Sequence, residues 1–240
     1  MSEITVRPPD SIYQIHGEIK NGTFHGRWHF SFGEYNDPEY MHFGTLRVFN
    51  DDTLSPGAIW PLHHHRELEV VTYCAGGEFL HADERGEGGI LKKGWVQHTT
   101  VGKGMMHSEI NNFKTKPMRF IQMWFFPSVY GLAPSVEQRK VKINERTNQL
   151  LPLVSSRHKE ALFIHTDAEV NSCFLRKGSI VEHHIKKGRG GYLYVLEGKG
   201  PEVNGHRVPA LGAVKAVGKL TLDITALGDT ELLLVDVLLG

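Results

Sequence analysis

The stretch GAIWPLHHHRELEVVTYCAG, residues 57–76, decides the fold. Its second half, LEVVTYC (68–74), is a β-branched and aromatic run of strand length that a glycine turn closes. Its first half sets three histidines in succession at 63–65, in mid-chain rather than at a terminus. Successive side chains of a strand point to opposite faces, so His63 and His65 share a face and His64 points outward. Two imidazoles so placed reach a single ion. A second segment, GKGMMHSEINN (102–112), repeats the spacing, with His107 and Glu109 two residues apart just after a glycine turn. Brought together from neighbouring strands, the two pairs supply three imidazoles and one carboxylate. One or two coordination positions stay open for water or substrate, which favours a reactive metal over a structural one. Mixed N/O ligation suits Fe(II), Mn, Ni, Cu or Zn.

Outward from this stretch the chain keeps the same grammar. Short apolar or alternating runs (TLRVFN, MRFIQMWFF, SCFLR, YLYVLEG, LTLDITA, ELLLVDVLL) are divided by the clusters NDD, AGGE, RGEGG and LEGKGPEVNG. Many short strands punctuated by turns indicate an all-β sandwich or barrel. Residues 128–160 are polar, lack alternation and contain two prolines, and read as an interdomain connection with one short helix. The flanking blocks share an order of histidines, strand and glycine turn, which points to a duplicated barrel. The expected division is a metal-binding domain at 1–140, a connection at 141–160 and a second barrel at 161–240. His183 and His184 are adjacent and no H-S-E follows them, so the second barrel is expected to lack metal and to close one mouth of the first.

Lys plus Arg equals Asp plus Glu at 27 each, so the charge balance implies neither nucleic acid nor an anionic membrane as partner. The 15 histidines are the unusual feature. Cys74 and Cys173 lie in apolar runs and read as buried free thiols of a reducing compartment. The N-terminus MSEITVRPPD has no apolar core of signal-peptide length, and no stretch approaches a membrane span, so a cytoplasmic, soluble protein is expected. The isolated histidines, His81 and His98 among them, read as ordinary surface or hydrogen-bonded residues. Gln122 interrupts an apolar strand and either meets a ligand near the metal or is satisfied by backbone. Met105, Met106 and Trp60 are candidates to line an apolar pocket. The GxG at 102–104 has no helix after it and is no phosphate loop.

Residues 57–76 also resemble, at every fixed position, the first motif of the cupin superfamily, G(X)5HXH(X)3E(X)6G, carried by Gly57, His63, His65, Glu69 and Gly76. The fuller resemblance is to the pirin family of bicupins. Its carriers are HFSFGEYNDPEYMHFGTLRVFNDD (29–52), PGAIWPLHHHRELEVVTY (56–73), GKGMMHSEINN (102–112) and PSVEQR (134–139). The resemblance implies two tandem jelly-roll-like cupin barrels. Most cupins use the glutamate of the first motif, here Glu69, whereas pirins take theirs from H-S-E, here Glu109. The implied ligand set is therefore His63, His65, His107 and Glu109, with Glu69 tying down an imidazole or Arg66. The implied cofactor is one divalent transition metal, Fe(II) foremost, with Mn, Ni, Cu, Co or Zn as alternatives. Three positions depart from the pattern: His64 stands where pirins have proline, Trp60 where phenylalanine is common, and Thr100 where many cupins have proline. Some bacterial pirin-like proteins open flavonols such as quercetin with O2, which implies a small aromatic substrate, O2, and Glu109 as general base. Others are regulatory, which implies a redox-sensitive module that meets a protein partner without turnover.

Overall fold

The computed structural model describes residues 2–84 and 88–240, so residues 85–87 of the expected RGEGG turn lie outside it. Among these residues there is no α-helix, only three short 3-10 turns, one of them at Ile143–Arg146 inside the expected connection. No helix is long and apolar enough to cross a membrane. Every ladder is antiparallel, and the strands form two barrels, each of a large and a small sheet.

In the first barrel the large sheet has seven strands. In spatial order they are Ser135–Arg139, Val96–Thr100, Glu69–Gly76, Met118–Phe125, Leu46–Leu54, Gly22–Trp28 and Tyr13–Ile19. Facing it are Ile59–His65, Met105–Asn111, Glu78–Asp83 and Gly88–Lys92. The second barrel pairs a six-stranded sheet, running from Glu3–Arg7 at one edge to Leu151–Ser155 at the other, with a four-stranded one that begins at Ile180–Ile185.

Two segments depart from the expected division into 1–140, 141–160 and 161–240. Glu3–Arg7 pairs with Ala213–Val217 and so joins the second barrel. Leu151–Ser155, inside the expected connection, pairs with Ala168–Leu175 as that barrel's edge strand. The partner of Glu3–Arg7 lies near the other end of the chain and leaves no local mark, whereas that of Leu151–Ser155 is the next strand in sequence. Nor does the second barrel cap a mouth of the first. Phe49, Val71, Tyr73, Ile121 and Met123, from the outer face of the seven-stranded sheet, share one core with Tyr192, Tyr194, Leu233 and Val235. The contact is sheet face on sheet face.

The strand Leu46–Leu54 corrects a further expectation. Asn50, Asp51 and Asp52, read as a turn, lie in mid-strand and are all buried. Asp51 faces the second barrel, where Arg119 grips its carboxylate with two hydrogen bonds of 2.7 Å and the Tyr194 hydroxyl donates at 2.6 Å. Asn50 and Asp52, of opposite parity, face the interior of the first barrel. Tertiary partners have overridden the turn preference of Asn and Asp.

The same parity creates a polar layer inside the first barrel. Along one inward face Val70 belongs to one small core, Thr72 is polar, and Cys74 belongs to another. Along the next strand the order Phe120, Gln122, Trp124 repeats it. The candidate ligands sit in this layer.

Candidate metal centre

Ile59–His65 and Met105–Asn111 are hydrogen-bonded neighbours, with His107 opposite His63 and Met105 opposite His65. The register shifts between His107 and Glu109, and Glu109 comes to face Trp60. Pro61, which has no N–H to give the ladder, lies in the irregular stretch, and the shift turns Trp60 into the same cavity as His63. His64 is exposed and lies over the glycine turn, where a Cβ at Gly104 would stand 2.9 Å from its Nε2. Gly102 of that turn has φ +50°, and a Cβ there would meet the Leu132 carbonyl at 2.1 Å. A side chain at either position would obstruct the turn.

His63, His65 and His107 converge, each presenting a ring nitrogen within 4.8 Å of the others. His63 Nδ1 is bonded to the Pro61 carbonyl at 2.8 Å, which leaves its Nε2 for the interior. That atom lies 3.1 Å from His107 Nε2. Two nitrogens about 2.0–2.1 Å from one ion stand roughly 3.0–3.4 Å apart, so the pair has the spacing of neighbouring ligands. His65 Nε2 is buried with no hydrogen-bond partner. Burial pushes the His65 imidazole down to about 4, helped by His63 and His64, and His107 down to about 2, helped by His81, His63 and His65. Both rings are therefore neutral at physiological pH, the form that ligates. An unpaired nitrogen, two lone pairs at close range and neutral rings all fit a cation.

Glu109 is not among the converging atoms of this group. It lines the same cavity as His63 and His65 and is 3% exposed. Gln122 Nε2 donates to its Oε1, and Trp124 Nε1 donates to Gln122 Oε1 at 2.8 Å, which fixes the amide's direction. Burial holds the Glu109 carboxyl above the usual range, against the lowering effect of His63 and of the Gln122 bond. Of the two readings of Gln122, the residue meets the site rather than backbone.

Glu69 lies elsewhere. Its Oε2 accepts from Thr100 Oγ1 at 3.2 Å and from the His165 backbone N–H at 3.2 Å, and it is bonded to His98 Nε2 at 2.7 Å. It holds an imidazole, as expected, but that of His98 and not of a converging histidine, and it does not touch Arg66. Counting parity from His65 to Glu69 fails because the chain leaves the strand between them, passes Glu67 at φ +52° and enters the other sheet. Met105 packs with Val70 and Val101, and Met106 is 37% exposed, so neither lines the cavity. Trp60 does.

His81, set aside on sequence, belongs to the centre. Its Nε2 is 2.7 Å from His107 Nδ1, and its Nδ1 is 3.1 Å from the Gln97 amide, which also meets Gln138 at 2.9 Å. A cation on His107 Nε2 would leave the proton on Nδ1 to donate to His81 Nε2, which requires the His81 proton on Nδ1 and the Gln97 amide turned to present its oxygen there. The clue was in EFLHAD (78–83), where Phe79 and His81 share the parity of an inward face. In the second barrel His183 Nε2 meets Asp236 at 2.7 Å, whereas His184 Nδ1 meets Thr221 Oγ1 at the surface.

The cavity has a volume of about 80 Å³, with Phe32, Trp60 and Trp124 supplying aromatic walls and Asn50, Asp52, Glu109 and Gln122 a polar one. Larger hollows, about 480 Å³ beside His16 and His25 and about 660 Å³ beside Lys186 and Lys219, lie outside the barrels and contain none of these groups. Chemistry rather than size singles out the small one.

The pirin family model matches residues 13–125, and the model of the quercetinase C-terminal cupin domain matches residues 153–237. A pirin-like protein of Caulobacter vibrioides is 36% identical over 222 residues, 92% of this chain and 95% of that protein. The quercetin 2,3-dioxygenase of Escherichia coli K12 is 31% identical over 210 residues, 87% of this chain and 90% of that one. Among solved structures, bacterial pirin YhhW from Escherichia coli, in complex with nickel(II), has a TM-score of 0.89 at 28% identity, covering 99% of this chain and 100% of that chain. Matched in sequence through both barrels and in structure along its whole length, the chain belongs to the pirin family.

Proposed function

We propose that the protein is a metal-dependent dioxygenase that opens a flavonol-like enol with O2. The observation that carries this reading is the convergence of three imidazoles, His63, His65 and His107, in a cavity walled by aromatic rings. The names of two Escherichia coli relatives support it, one a quercetin 2,3-dioxygenase and the other bacterial pirin YhhW in complex with nickel(II). His63, His65 and His107 would hold one divalent transition metal ion, Fe(II) foremost, with Glu109 as the carboxylate beside them. When bound, the ion supplies Lewis acidity and the capacity to engage O2.

The chain's own residues do the rest. Glu109 accepts the proton of the substrate hydroxyl on Oε2, since Gln122 occupies Oε1. Trp124 keeps the Gln122 amide turned toward Glu109, so the base stays aimed at the cavity. Pirin-type opening at this site has a size condition. A cavity of about 80 Å³ is far below the roughly 300–1,000 Å³ of pockets that enclose drug-sized ligands. Only the reacting edge of a flavonol enters, and the rest of the molecule lies along Phe32, Trp60 and Trp124 at the mouth. The walls keep water from the reacting atoms on the polar side.

The test is oxygen consumption with quercetin by protein loaded in turn with Fe, Mn, Ni, Cu or Zn. Turnover with at least one metal is expected. Glu109→Gln should lower it by about 10²–10⁴ while the metal is retained. Silence with every metal, or full activity in the variant, defeats the reading.

A further inference from the structure

Two buried polar side chains of the cavity wall are used by none of the chemistry above. Asn50 is 3% exposed, its Oδ1 is buried without a partner, and its amide makes no side-chain hydrogen bond among the described residues. Asp52 is 6% exposed and accepts one hydrogen bond, at Oδ1 from Trp28 Nε1 at 3.2 Å, which leaves Oδ2 unpaired. Both line the cavity that holds His63, His65 and Glu109. They leave the same face of Leu46–Leu54, and Asn50 is the cross-strand partner of Gln122, the residue that clamps Glu109. The pair thus lines the same cavity as the proposed base, next to the residue that holds it.

An unpaired buried amide destabilises a fold, and a leucine of similar size in its place would be neutral or better. The N–H groups of the Asn50 amide, which no side chain among the described residues takes up, have a partner if a ligand oxygen accepts from them. We propose that Asn50 and Asp52 form the subsite for a second substrate oxygen, the carbonyl next to the reacting hydroxyl of an α-hydroxy enone. The carbonyl accepts from the Asn50 amide and from the Asp52 carboxyl. Burial, together with the nearby Asp51 and Glu109, holds the Asp52 carboxyl well above its ordinary range, which favours the protonated form that donates this bond. The subsite would select enols with an adjacent carbonyl over simple phenols of the same size, since a site built for hydrogen bonding rejects ligands that leave its groups unpaired. The proposal rests on the enol-opening reading of the same cavity.

The test uses the nickel-loaded full chain without oxygen, titrated with 3-hydroxyflavone and followed by quenching of tryptophan fluorescence, to which Trp60 and Trp124 at the cavity contribute. Asn50→Leu should weaken binding about tenfold, the loss of one good hydrogen bond, with nickel content unchanged and Tm unchanged or raised. Asp52→Asn keeps a donor and an acceptor for Trp28, and should bind within about twofold of the parent. Parent-like binding by Asn50→Leu overturns the subsite but leaves the enol-opening reading intact. Loss of nickel along with binding also overturns it, because Asn50 would then act on the metal. A tenfold loss in Asp52→Asn contradicts the donor role. Failure of the unmodified protein to bind 3-hydroxyflavone removes the enol-opening reading itself, and the subsite with it.

Discussion

Replacing His81 with leucine tests whether the histidine behind His107 supports the metal. His81 is 2% exposed and touches His107 Nδ1 at 2.7 Å, the single side-chain partner of that nitrogen among the described residues. Leucine fills a similar volume and offers no acceptor. With a cation on Nε2, His107 must keep its Nδ1 proton, and the variant leaves that N–H buried and unpaired. Such a donor costs about 1–3 kcal/mol. In the metal-free protein the ring can shift its proton to the other nitrogen, so the cost falls mainly on the bound state. Converted to affinity, 1–3 kcal/mol is about 5- to 150-fold, which overlaps the roughly 10–100-fold loss typical when a ligand's supporting partner is removed. The assay is competition for nickel against a chromophoric chelator at neutral pH, with metal content measured in parallel. Glu69→Gln is the control. Its carboxylate meets His98, Thr100 and the His165 backbone rather than the converging imidazoles, so that variant should lose Tm and keep its nickel affinity within about twofold. Nickel binding by His81→Leu as tight as the parent's, or an equal weakening in Glu69→Gln, refutes a supporting role for His81.

The acid–base state of Asp52 gives a stability prediction. Its folded carboxyl titrates well above an unfolded one because it is buried, with Asp51 and Glu109 adding to the effect. The folded state therefore holds a proton that the unfolded state releases near pH 4, and stability is lost as pH rises from there through the folded value. Asp52→Asn removes this dependence, so its Tm should exceed the parent's at pH 8, with the gap closing toward pH 4; about 1 kcal/mol corresponds to roughly 2–4 °C at this chain length. A constant gap across that range would contradict the buried-carboxyl account. Cys74 and Cys173 are fully buried, and burial pushes their thiols up to about 11 and about 12. Iodoacetamide at pH 8 should label neither in the native protein and both in denaturant, and rapid native labelling would show the cores to be open.

The strand-rich reading and the i, i+2 pairing of His63 with His65 follow from alternation, because a strand's period of two is local, and the second barrel from the repeated order of histidines, strand and glycine turn. The pirin resemblance came from motif spacing, and it chose Glu109 over Glu69 where parity left both open. Other features depended on the folded chain. Parity cannot be carried across the turn at Glu67, so only the sheet assignment sends Glu69 toward His98 and the second barrel. NDD has the composition of a turn, yet Arg119 and Tyr194 wait for Asp51 on one side and the cavity receives Asn50 and Asp52 on the other. His81 looked isolated because its partner is 26 residues away and meets it only across paired strands. Sequence by itself determined which side chains could ligate and on what kind of element, since both are matters of chemistry and local geometry. Tertiary structure decided which of them face one another, because the pairing of distant strands and the face each strand buries are set only when the sheets close.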